Sequence, residues 1–122
     1  MTLVSCQRSE QNTDTFVTSP GSFEFFGGKL TVSVTQQTNG AVLYRIGHGS
    51  SISGPARPQP WAGRAWLIFP QTPTNAWIFD GRTNVTLIGF GDGGAKMTTR
   101  PAGSWASLPP ALQRRLPGGP GK

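Results

Sequence analysis

Short runs of alternating apolar and polar residues, separated by turn-forming residues, dominate this chain. The clearest alternation places Leu30, Val32 and Val34 on one face and threonine and serine on the other. A period of two with one apolar face predicts a half-buried strand. The Asn-Gly dipeptide at 39–40 tolerates positive φ and closes tight hairpins. Residues 41–46 alternate again, so this stretch predicts a β-hairpin.

Three further apolar runs stand close together in the middle of the chain. They are rich in aromatic and β-branched residues and are bounded by Gly, Pro, Asn or Asp, which is typical of consecutive antiparallel strands. A glycine-rich turn then leads into one more alternating run. The predicted strands cover about 63–69, 75–79, 83–90 and 95–99. A short edge strand is also predicted at 15–18.

Short strands joined by turns predict an all-β fold, a small antiparallel β-sandwich or flattened barrel of about seven to eight short strands. We divide the chain into a flexible N-terminal segment (1–15), a β-rich domain (16–99) and a Pro/Gly-rich basic tail (100–122). The tail is expected to be flexible, or ordered only by docking its apolar residues, with a helical turn near Ala111. The docking residues would be Trp105, Leu108 and Leu112.

The core is predicted to combine the hairpin with the central runs. One set of large residues from the central runs should be buried and should face the apolar side of the hairpin. That set is Trp66, Ile68, Trp77, Phe79, Val85 and Leu87, with Leu30, Val32 and Val34 opposite.

The positive charge of the chain is unevenly distributed. The formal net charge is +6, and four basic residues follow Thr99 with no acidic residue among them. A basic patch on the β-rich domain is therefore weakly supported, and a polyanion or single-stranded nucleic-acid binder is an alternative rather than the first interpretation. The four are Arg100, Arg114, Arg115 and Lys122.

Catalytic motifs are weak in this chain. Residues 89–94 match a dinucleotide fingerprint in letters, but no helix or βαβ unit is predicted around them. His48 is the only histidine, and no acidic residue has metal-ligand spacing to it. The serines at 50–53 miss the nucleophile-elbow pattern. We therefore expect no enzyme activity, no metal and no cofactor.

The long Pro-rich segment 47–62 is the expected contact surface. A long loop in a small domain often binds something, and its three prolines would limit the entropy lost on ordering. Trp61 is the expected exposed platform, either for a protein or for stacking on a sugar ring. The candidate ligand-binding residues are Trp61, Arg57, Arg64, His48 and Gln59.

Residues 3–6, Leu-Val-Ser-Cys, resemble the end of a bacterial lipoprotein signal, in which a small residue precedes the lipidated cysteine. The resemblance covers four residues and makes Cys6 a candidate lipidation site; the other interpretation is a lone cysteine in a flexible segment. A lipid anchor would be the only expected link to a membrane.

The composition favours a non-enzymatic binding or structural β-domain of a bacterial envelope or extracellular assembly. Charged residues are few, and polarity comes mainly from neutral hydrogen-bonding side chains. A carbohydrate-binding module that uses an exposed tryptophan is the first alternative. The expected partner is a protein or a glycan, with self-association open and nucleic acid disfavoured.

Overall fold

The computed structural model describes residues 16–116 and contains eight strands in this range. The strands form two separate four-stranded antiparallel sheets, with the orders β1-β2-β3-β4 and β5-β6-β7-β8. The predicted all-β class and strand number are confirmed. The strands are β1 Gly21–Phe25, β2 Leu30–Gln36, β3 Val42–His48, β4 Ser51–Ser53, β5 Leu67–Thr72, β6 Asn75–Phe79, β7 Asn84–Gly91 and β8 Gly94–Pro101.

The first sheet is built on the predicted hairpin. β2 pairs with β3 with Val32 opposite Ile46 and Val34 opposite Tyr44. These side chains and Leu30 are buried, whereas the residues between them on β2 are exposed. The alternation therefore gives this sheet one face in the core and one in solvent.

The second sheet is buried on both faces along β5 and β6 and along much of β7. Its inner face presents Ile68, Ile78 and Ile88 to the first sheet. Its outer face presents a second set of large side chains, including Trp77 and Phe79. The apolar runs are therefore nearly continuous because both faces of the sheet are covered.

This division corrects the predicted core. Of the predicted set, Trp66 and Ile68 do pack with Leu30, Val32 and Val34. The other four belong to the outer cluster and do not face the hairpin, because successive strand residues point to opposite faces. They are Trp77, Phe79, Val85 and Leu87, of which Leu87 is half-buried.

The segment 102–116, which we call the cap, covers the outer face of the second sheet. It contains a 3₁₀ turn (Ala102–Ser104) and one helical turn, α1 (Pro110–Gln113). The ring of Trp105 packs edge-on against Trp77 at 5.0 Å, and Leu112 is fully buried. The sequence allowed for ordering of this segment by docking, and the second sheet is the surface on which it docks. The helical turn near Ala111 is present.

The predicted loop 47–62 follows the edge of the first sheet. It contains the short strand β4, which pairs with the end of β3. Further along, the backbone of Gln59 forms a bridge with Val42, with N–H···O distances of 2.9 and 2.6 Å. The segment is thus partly a strand, and the expectation of one long irregular loop was wrong.

At the other side of the molecule, Val17 extends the second sheet. Its backbone exchanges two hydrogen bonds of 2.9 Å with Ile68 and so occupies part of the edge of β5. Within residues 16–18 of the predicted strand at 15–18, this pair is the only bridge. Cys6 and the rest of segment 1–15 lie outside the described residues. Within 16–116, no helix has the length and apolar character needed to cross a membrane.

Candidate binding edge

The residues predicted to form one site are divided between the two ends of β3. His48 is the last residue of β3, whereas Gln59 pairs with Val42, the first. At about 3.3 Å per residue, the two ends of this strand lie roughly 20 Å apart. The structure therefore does not bring the five predicted residues together around one small ligand.

Trp61 is buried, so the expectation that it forms an exposed platform was wrong. Only 5% of its surface is exposed, and its ring stacks on Tyr44 at 5.5 Å and lies 6.0 Å from Trp66. It belongs to the core cluster between the two sheets. Trp66 and Trp77 are buried as well, and Trp105 is half-buried against the second sheet.

The neighbours of Trp61 in the sequence have separate surroundings. The Gln59 side-chain amide donates to the carbonyl oxygen of Arg57 at 2.9 Å, within the same turn. Arg57 is exposed and Arg64 is half-buried. The backbone N–H of Arg64 donates to the Trp61 carbonyl oxygen at 3.0 Å. These contacts shape a turn around the buried indole.

His48, at the end of β3, contacts the turn between β1 and β2 and the strand β7. Its Nδ1 lies 2.9 Å from the carbonyl oxygen of Lys29, and its ring lies 5.7 Å from that of Phe90 on the second sheet. A carbonyl only accepts, so Nδ1 carries the proton, and Nε2 is the acceptor in neutral imidazole. Across residues 16–116, no group of three or more His, Cys, Asp and Glu side chains is arranged to hold a metal ion.

Within the described part of the chain, β8 is the longest of the four edge strands. An edge strand presents N–H and C=O groups that can pair with another chain, and proteins usually shorten or cover such edges. Here β4 has only three residues, β1 has five, and β5 is partly covered by Val17. β8 has eight residues, and all but Thr98 are exposed. Among the described residues, β8 pairs on one side only, with β7.

The register identifies the β8 backbone groups that face outward. Hydrogen-bonded pairs alternate with non-bonded pairs in an antiparallel ladder. The N–H of Ala102 donates to the carbonyl of Thr83 at 2.7 Å, and that of Phe90 donates to Thr74, on the side away from β8, at 2.8 Å. Together with the register, these two bonds show which residues of β8 form hydrogen-bonded pairs with β7. Lys96, Thr98 and Arg100 bond to β7, whereas Ala95, Met97 and Thr99 direct N–H and C=O to the free edge.

The side chains of β8 alternate between the two faces of the sheet. Lys96, Thr98 and Arg100 lie opposite Gly89, Leu87 and Val85 in the register, and so share their outer face. The guanidinium of Arg100 lies 4.9 Å from the centre of the Trp105 ring. On the inner face, Met97 is 39% exposed. The free edge therefore combines two cations with one accessible apolar side chain.

A cluster of three hydroxyls, of which those of Thr86 and Tyr44 are buried, joins β8 to the rest of the molecule. The hydroxyls of Thr86 and Thr99 lie 2.7 Å apart, and Tyr44 on the first sheet hydrogen-bonds to Thr86. Burial raises the pKa of the Tyr44 hydroxyl to about 12, against the weaker lowering effects of that hydrogen bond and of Arg45. The cluster helps to hold β8 in place because the buried Thr86 hydroxyl would lose its Thr99 partner if the strand moved.

The alternation of residues 95–99 predicts a strand, but it does not show on which side that strand is paired. Whether a strand lies at the edge of a sheet depends on the order of the strands, which the pattern of residues does not show.

No known protein family matches the chain, and comparison with curated proteins and solved structures likewise finds no significant match.

Proposed function

We propose that this protein is a non-enzymatic binding domain that takes up an extended segment of a partner protein as an added strand at the free edge of β8. The observation that carries the proposal is the long, exposed and singly paired β8. In strand addition, main-chain hydrogen bonds supply affinity and the alternating side chains supply specificity. An envelope or extracellular assembly remains the setting proposed from the composition.

The free edge offers suitable main-chain groups for such pairing. Three residues, Ala95, Met97 and Thr99, present both an N–H and a C=O in one row, in phase with a partner strand. Their positions are held by the ladder to β7 and by the hydroxyl cluster, so little backbone order would have to be created on binding.

The proposal also fits the placement of the aromatic residues. A carbohydrate module that uses an exposed tryptophan would need a ring with a free face, and Trp61, the ring chosen for that role, is in the core. The edge of β8 requires no aromatic platform. Accordingly, we favour a protein partner over a glycan.

Proline substitution tests strand addition. Peptides of the length of β8 are selected against the wild-type protein from a random phage-displayed library and then measured on variants. Met97→Pro removes an outward N–H while leaving the β7 ladder intact, and Met97→Thr is the matched control. We expect selected peptides to lose about tenfold in affinity for Met97→Pro and to retain their affinity for Met97→Thr. Equal binding to both variants would refute the proposal.

Folding is checked on the same variants. Thr98→Pro is the complementary control because it removes an N–H that bonds to β7. It should lower the free energy of unfolding by about 1–3 kcal/mol. Met97→Pro should melt close to the Met97→Thr variant. A loss of peptide binding in a well-folded Met97→Pro protein then reports on the free edge.

A further inference from the structure

We infer that the segment bound at β8 is acidic and carries two carboxylates four residues apart, with an apolar side chain opposite Met97. This inference rests on strand addition at β8 and adds the chemistry of the partner. It follows from the two cations on the outer face of β8 and from the charges around them.

Lys96 and Arg100 lie on the same face of the sheet, two side-chain positions apart along that face. A paired strand would place one residue directly opposite each of them. Opposite charges at such cross-strand positions are favourable, and like charges are unfavourable. Carboxylates spaced four residues apart in the partner would therefore meet both cations at once.

Few acidic residues lie near the two cations in the sequence. From Gly93 to Leu116 the chain has no acidic residue, and Asp92 lies in the turn that precedes β8. The outer face of β8 therefore carries two positive charges, Lys96 and Arg100, with no acidic side chain on the same strand. These charges favour an acidic partner both in encounter and in the bound state.

The contact with Trp105 favours a position of the Arg100 side chain in which a carboxylate can bind to it. The guanidinium lies over the indole at 4.9 Å and remains exposed. A guanidinium in contact with an aromatic face has five N–H donors, which suit a carboxylate. Lys96 lies opposite Gly89, where no heavy atom falls within 4 Å of the position of an added Cβ. Its ammonium is therefore not confined by the neighbouring strand.

The same charges disfavour a second copy of the chain as the occupant. Antiparallel pairing of two β8 strands centred on Thr98 would place Lys96 of one copy opposite Arg100 of the other. Pairing centred on Met97 would place Lys96 opposite Thr98, so in neither register does a cation meet a carboxylate. Two molecules of net charge +6 also repel one another. With a negatively charged partner, both the cross-strand contacts and the long-range interaction are attractive.

Defined peptides test the inference. Two synthetic peptides of the length of β8 share an apolar residue opposite Met97 and carry either two glutamates or two lysines, four residues apart. Their dissociation constants are measured by fluorescence anisotropy with the wild-type protein and with the double variant Lys96→Glu/Arg100→Glu. Lys29→Glu/Arg82→Glu is the control, since both residues are exposed and lie outside β8.

We expect the wild-type protein to prefer the glutamate peptide by on the order of tenfold, less at high salt. The Lys96/Arg100 variant should prefer the lysine peptide, and the control should keep the wild-type preference. Equal affinity for both peptides, each lost in Met97→Pro, would overturn the acidic chemistry and leave strand addition standing. A glutamate preference that persists in Met97→Pro would show a charged surface without strand addition and overturn both. Dimerisation through β8 would show that a second copy is the occupant.

Discussion

At the scale of single residues, Tyr44 is the most informative titrating group. It is the only tyrosine, it is 2% exposed, and burial raises its pKa to about 12. The unfolded chain ionises near its ordinary value of about 10. Because the folded pKa is the higher one, the stabilising contribution of Tyr44 is fully present below pH 10 and is lost as the pH rises towards 12.

Alkaline unfolding should therefore depend on this side chain. We expect the free energy of unfolding to fall by roughly 2–3 kcal/mol between about pH 10 and 12, and Tyr44→Phe to flatten that dependence. Denaturant titrations across this range measure it, with tyrosinate absorbance reporting ionisation. Ionisation of the folded protein near pH 10 would show that the hydroxyl is solvated.

Trp61 provides a second residue-scale prediction. Since its ring packs between Tyr44 and Trp66, Trp61→Ala should destabilise the fold by about 3–5 kcal/mol, comparably to Trp66→Ala. Chemical denaturation of both variants is the measurement, with the exposed Arg57→Ala as the control. A Trp61→Ala protein of wild-type stability would place the indole at the surface after all.

The burial of Trp61 could not be predicted from its sequence neighbours. It lies after Pro60 in a segment without alternation, which favours a loop. Its burial depends on Tyr44, a contact between residues far apart in the chain. By contrast, Leu30, Val32 and Val34 were correctly predicted as buried, because their alternation records the two faces of the strand.

At the scale of elements, predictability follows the length of each strand. The β2–β3 hairpin carries its own pattern and turn, and was predicted closely. β4 has three residues and is stabilised by its pairing with β3, so it leaves little periodic signal. For the second sheet, the positions of the strands were predicted but not the directions of their side chains. Strands β5 to β7 are apolar on both faces, so their sequence does not show which residues face the first sheet.

The role of the cap in covering the second sheet is visible only in the packing of the folded chain. Its helical turn is too short to be stable alone, and it is held by apolar contacts of Leu112 and Trp105 with the outer face of the second sheet. The indole N–H of Trp105 also donates to the carbonyl of Val85 at 3.1 Å. The cap is therefore part of the folded unit, because without it this face would be exposed.

Substitution of Leu112 tests the role of the cap. Leu112→Ala should cost about 2–5 kcal/mol because the side chain is fully buried. The exposed Ser107→Ala should change stability little. Thermal unfolding compares them, and limited trypsin digestion at Arg114 and Arg115 should be faster in Leu112→Ala. Unchanged melting and cleavage would show that the cap adds nothing to the fold.

At the scale of the whole molecule, the two sheets bury a shared core, and the second sheet ends in an open strand. The all-β sandwich was predictable from strand spacing and turns. The open edge was not, since it depends on strand order and on the partial cover that Val17 gives to β5. The predicted contact surface, the segment 47–62, contains residues that instead shape the core and the first sheet.

Residue-resolved amide hydrogen exchange of the isolated protein tests the open edge most directly. If the outer side of β8 is free, the amides of Lys96, Thr98 and Arg100 should exchange slowly because they bond to β7, whereas those of Ala95, Met97 and Thr99 should exchange rapidly. Addition of a bound peptide should then slow the second group selectively. Equal protection of all six amides in the isolated protein would show that the edge is already paired, and would contradict strand addition at β8.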